Sequence, residues 1–104
     1  MNDTSLNEQI AKALVNNAVN DGFLVSVNKA QNSKISLSRN VAAITGAMFR
    51  TNMDKLTLNV EERRAGVITL TYGSGRDGAD VISDHSDVPH INRLVQNTKK
   101  QFGF

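Results

Sequence analysis

From Lys55 to His85 the apolar residues recur at a period of two. Leu56, Leu58 and Val60 alternate with Lys55, Thr57, Asn59 and Glu61, and Ile68, Leu70 and Tyr72 alternate with Val67, Thr69 and Thr71. Side chains of an extended strand point alternately to opposite faces, so each run predicts a strand with one buried side. A turn is expected through Glu62-Arg63-Arg64-Ala65-Gly66. A glycine-rich loop, Gly73-Ser74-Gly75-Arg76-Asp77-Gly78, then leads into Ala79–Asp84. The stretch predicts a three-stranded antiparallel meander. The remaining segments have to cover its apolar side.

They have the periodicity to do so. Ser5-Leu6-Asn7-Glu8 spells a capping box, Leu6, Ile10, Ala13, Leu14 and Ala18 follow at helical spacing, and Gly22 is the stop. A helix is predicted over 5–21, then strands over 23–28 and 34–37. A second helix is expected over 39–50, capped by Ser38 or Asn40, with Val41, Ile44, Ala47 and Met48 inward and Phe49 beside them. Gly46 inside it would cost up to ~1 kcal/mol relative to alanine and reads as close helix–sheet packing. Strands are predicted over 55–61, 67–72 and 79–84. Asp87 is expected to cap a last helix over 87–102, with Pro89 in its first turn and Ile91, Leu94, Val95 and Phe102 inward. The order α-β-β-α-β-β-β-α predicts one two-layer α+β domain spanning 1–104. Its antiparallel sheet would have about five strands, with the helices on one face. Ile10, Leu56, Leu58, Ile68, Leu70 and Leu94 are the expected core.

Composition narrows the chemistry. A chain of 104 residues, 39% apolar, buries only about 60–70% of its unfolded surface. That supports a core but no deep cavity, and dimerisation would be a natural supplement. The absence of cysteine removes disulfides, thiolate metal sites and a cysteine nucleophile, and suits a cytoplasmic protein. Met1-Asn2-Asp3-Thr4-Ser5 has neither the basic patch nor the apolar run of a signal peptide. No run approaches the ~18 apolar residues of a membrane span, so no membrane partner is expected. A net charge of +2 does not by itself argue for nucleic acid.

Motifs for an enzyme are missing or incomplete. The loop 73–78 matches the glycine spacing of a dinucleotide-binding turn, but that chemistry needs a helix after the loop to meet the pyrophosphate. Here Ala79-Asp80-Val81-Ile82 reads as a strand, so a hairpin loop and no cofactor are expected. Asp80, Asp84, His85, Asp87 and His90 crowd into a short stretch. Of these, Asp84, His85, Asp87 and His90 are the best metal candidates, although their spacing fits no established motif. Helix capping and dipole effects are the favoured explanation of the aspartates, so no metal is expected. No nucleophile, base and orienting group assemble, so a non-enzymatic protein is expected.

Two binding surfaces remain. Arg93, Lys99 and Lys100 on the last helix, with Arg63 and Arg64 in the turn, could touch phosphates. The four phenylalanines and one tyrosine offer little for base stacking, because Phe23, Phe49, Tyr72 and Phe102 fall on predicted buried stripes. The other surface is the sheet side away from the helices, predicted to carry Thr57, Asn59, Thr69, Thr71 and Ile82. It would be threonine-rich and nearly uncharged, and suited to a protein partner or a homodimer.

Gly22-Phe23-Leu24-Val25-Ser26-Val27, Ala47-Met48-Phe49, Tyr72-Gly73 and Val81-Ile82-Ser83-Asp84-His85 together resemble a family of small bacterial and phage or prophage proteins of unknown function. The chain departs from that family at Asn28-Lys29-Ala30, where members often carry an acidic glycine turn, and at Ser74, where asparagine is usual. The resemblance implies a phage or prophage origin and transfers no site residues. The expected function is therefore that of a small binding or accessory protein. Weak nucleic-acid binding through the basic helix is the alternative.

Overall fold

A computed structural model describes residues 6–28, 35–49, 53–61, 63–72 and 81–103. Helix α1 (Leu6–Asn20) buries Ile10, Ala11, Leu14, Val15 and Ala18 along one stripe. It stops at Gly22, whose φ of 96° suits a residue without Cβ. The Phe23 and Gly22 amides donate to the Ala18 and Val19 carbonyls, and Phe23 is buried. This is the glycine-terminated end predicted from sequence. The Ser5 half of the expected capping box lies outside the described residues.

Strands β1 (Leu24–Asn28), β2 (Ile35–Ser38), β3 (Met53–Val60), β4 (Arg63–Thr71) and β5 (Ile82–His85) form one sheet in the order β2-β1-β3-β4-β5. Every neighbouring pair is antiparallel. Helices α2 (Val41–Gly46) and α3 (Pro89–Gln101) complete the chain order. α1 and α2 meet β1, α2 also meets β2, and α3 meets β4 and β5. Val25, Val27, Leu56, Leu58, Ile68 and Leu70 face this helical layer and are essentially inaccessible to solvent. The α+β class therefore holds, and all six residues expected in the core are buried.

Several boundaries differ from the sequence expectation, each for a local reason. α2 ends at Gly46 rather than running to residue 50. Asn40 caps it by accepting from the Ala43 amide, but Phe49 takes a left-handed φ of 69° and the chain turns away. Gly46 is exposed with nothing near its Cβ position, so it marks the helix end and not a close approach to the sheet. The reversal before β4 sits at Glu61 (φ 55°), and Val60 pairs directly with Arg63. Arg63 and Arg64 thus belong to a strand, not to a turn. The strand accommodates them because the register shifts at Leu58/Asn59, leaving Ala65 as a bulge. Val60, expected inward, is 45% exposed at the hairpin end.

The glycine that does mark a close approach is Gly66. A Cβ there would sit 2.7 Å from Ile91 Cγ1, so α3 rests directly on the β4 backbone. Ser86 stitches the same place: its hydroxyl accepts from the Val67 amide, and its own amide donates to the Val67 carbonyl. The N-cap of α3 is Val88 rather than Asp87, and no side chain caps it. Asp87 instead accepts from the Asn92 side chain. Pro89 occupies the first turn, as expected.

Candidate functional site

Strand register lays out the sheet face opposite the helices row by row, because directly paired residues share a face. One row runs Asn28–Lys55–Thr69–Asp84 across β1, β3, β4 and β5. The next runs Ser26–Thr57–Val67, the one beyond it Leu24–Asn59–Arg64, and on the other side Met53 pairs with Thr71. Leu24, Ser26, Thr57, Asn59, Val67, Thr69 and Thr71 are half-buried by their neighbours, whereas Lys55, Arg64 and Asp84 are exposed. The Thr71 and Ser83 hydroxyls bond to each other at 2.9 Å. The surface is threonine-rich, with an apolar component from Leu24, Val67 and the exposed Met53, and with Lys55 near its centre.

Four of the five residues expected on this face, Thr57, Asn59, Thr69 and Thr71, lie on it. Ile82 does not. The register shifts between Thr69 and Leu70, so Leu70 pairs with Ile82 while Thr69 pairs with Asp84. Ser83 is the extra residue, and the bulge returns Ile82 to the core side, where it is 8% exposed beside a buried Val81. Strict alternation had placed Ile82 outward. The face also holds Lys55, on the central strand β3, with Asp84 and Arg64, so it is not the nearly uncharged surface expected from sequence.

The basic residues do not form one surface. Arg64 shares the open face with Asn59, whereas Arg93, Lys99 and Lys100 ride on α3 in the helical layer, the two lysines in its last turn. The metal candidates are also dispersed into separate local bonds. Asp84 accepts from the His85 amide, His85 Nδ1 lies 3.1 Å from the Ser86 carbonyl, Asp87 holds Asn92, and His90 is exposed. Among the described residues no three His, Cys, Asp or Glu side chains gather as a metal site would require. The glycine loop 73–78 and Asp80 lie outside the described residues.

Sequence reasoning missed one buried polar centre. Asp54 is 1% exposed, and its Oδ2 accepts from the Phe49 amide at 2.9 Å and from the Tyr72 hydroxyl at 2.8 Å. The Phe49 and Tyr72 rings make a tilted contact, centroids 5.0 Å apart and planes at 48°, with Lys12 Nζ 5.9 Å from the centre of the Phe49 ring. Burial pushes the Tyr72 hydroxyl well above the ordinary tyrosine range, and its bond to the Asp54 carboxylate and the nearby Glu8 charge push the same way. Such a tyrosine keeps its proton and is a poor acid, so the trio acts as a clasp holding the left-handed turn at Phe49 against β3. The signal was available: carrying the Leu58–Leu56 alternation back by one step puts Asp54 on the core face.

Fold and surface together define a two-layer α+β arrangement in which, among the described residues, all helices lie on one sheet face. No family model matches the chain, and no match was found among curated proteins or solved structures. No helix among the described residues is long and apolar enough to cross a membrane.

Proposed function

We propose that the chain is a non-enzymatic binding or accessory protein that acts through protein contacts, with the open face of the sheet as its contact surface. The observation that carries this reading is the half-buried, uncharged group Thr57, Val67, Thr69 and Thr71 on β3 and β4, with Lys55 as the one charge among them and Asp84 and Arg64 at the β5 edge and the hairpin end. A low density of charge among half-buried residues is a feature of interface cores. The lack of cysteine supports a cytoplasmic setting, and the family resemblance supports a phage or prophage origin. Binding to nucleic acid is the weaker reading, because Arg64 and the α3 cations Arg93, Lys99 and Lys100 occupy opposite sides of the molecule.

Photo-crosslinking in cell extract tests the reading. A photoreactive residue at Thr57 should capture protein, and the same probe at exposed Gln96 on α3 should not. Adducts from Gln96 alone would move the contact surface to the helical layer. A salt titration with DNA or RNA addresses the alternative, since phosphate contacts weaken steeply as salt rises.

A further inference from the structure

We infer that the partner on the open face is a second copy of this chain, related by a two-fold axis running along β4 through Thr69. The inference rests on the reading of that face as a contact surface and adds who occupies it. Lys55 and Asp84 flank Thr69 in one row, on the strands immediately to either side of β4. Each therefore stands about 5 Å from the β4 line. Rotation by half a turn about an axis along β4 exchanges left and right, so it sets Lys55 of one copy over Asp84 of the other, twice. An in-plane axis perpendicular to the strands would set Lys55 over Lys55 and Asp84 over Asp84. The charge pattern selects the first arrangement.

Packed sheets lie ~10 Å apart with their strands inclined by about 30°, a gap that a lysine and an aspartate bridge together. Thr69 and the hydroxyl pair of Thr71 and Ser83 then meet their counterparts near the axis. Among the described residues, Arg64 is the charge on the face that meets its own kind. It lies two rows from Thr69 toward the hairpin end, where the inclination separates the two β4 strands. With the axis on β4 only β3, β4 and β5 of each copy overlap, roughly 14 Å across and about 20 Å along the rows, so the contact buries on the order of 600 Å² in total. That is below the size of a standard specific interface, and it predicts a weak, reversible dimer whose population follows concentration.

Charge reversal with analytical ultracentrifugation tests this. Wild type should pass from monomer to dimer across a concentration series. Lys55→Asp and Asp84→Lys should each weaken self-association by at least about tenfold, because each creates two like-charge contacts. Mixing the two single variants should restore association as a heterodimer, as should the Lys55→Asp/Asp84→Lys double variant in a single chain. Both positions are exposed, so the variants should fold. As a check independent of charge, a short bis-maleimide should couple Thr69→Cys copies into dimers and leave Gln96→Cys copies uncoupled. A wild type that stays monomeric, or a mixture of variants that fails to associate, overturns the second-copy assignment. If Thr57 still captures a different protein in that case, the open face remains a contact surface with another partner.

Discussion

Tyr72 and Asp54 show how one buried carboxylate can govern a local fold. Among the described residues Asp54 is the only ionisable side chain that is fully buried, and it is satisfied by donors from two separate segments. Tyr72→Phe removes a donor to a charged acceptor and should cost about 1.5–3 kcal/mol in denaturant unfolding. The same tyrosine sets a pH dependence whose sign is fixed. Its folded pKa lies above that of the unfolded chain, about 10, so its stabilisation is complete below that pH. It is lost as pH rises further, because only the unfolded chain gives up the proton. Unfolding midpoints of wild type should therefore drop between about pH 9 and about pH 11 more than those of Tyr72→Phe, and equal drops would remove the effect from this residue. Gly66 makes the opposite kind of demand, for the absence of an atom. Gly66→Ala should destabilise by about 1–3 kcal/mol through overpacking against Ile91, and by less in an Ile91→Ala background. Composition showed neither requirement, since each depends on a residue distant in the chain.

At the scale of elements, the strand pattern was legible wherever alternation ran unbroken and failed at the bulges. Leu56, Leu58, Ile68 and Leu70 were readable because each extends a run of period two, and Leu70→Ala should cost about 2–5 kcal/mol. Ile82 was misassigned because the register shift at Thr69/Leu70 adds a residue, and nothing in Val81-Ile82-Ser83 announces it. Ile82→Ala should accordingly behave as a core truncation, with a loss comparable to that of Leu70→Ala, whereas Thr71→Lys should leave the monomer's stability within about 0.5 kcal/mol. A negligible loss for Ile82→Ala in thermal or denaturant unfolding would return that side chain to the open face. α2 was overextended for a related reason. Ala47, Met48 and Phe49 continue a helical pattern, but the Asp54 carboxylate takes the Phe49 amide and holds that residue in a left-handed conformation. A contact made five residues later overrides the local propensity.

For the whole molecule, three helices cover one side of a five-stranded sheet, and no described helix lies on the other. If a second copy takes that side, the melting temperature of wild type should rise with protein concentration, because association with the folded state stabilises it by mass action. That of Lys55→Asp should rise much less over the same series. The sequence by itself determined the α+β class, the order of the elements and the inward set on the uninterrupted strands. These follow from side-chain periodicity and end signals such as Gly22, which act over a few residues. Only the tertiary structure decided the strand order β2-β1-β3-β4-β5, the bulges that turn Ile82 inward, and the row that places Lys55 and Asp84 on either side of Thr69. Pairing between strands is a long-range choice, made by which apolar faces can share one core. The alternation within a single strand is the same whichever neighbour it acquires.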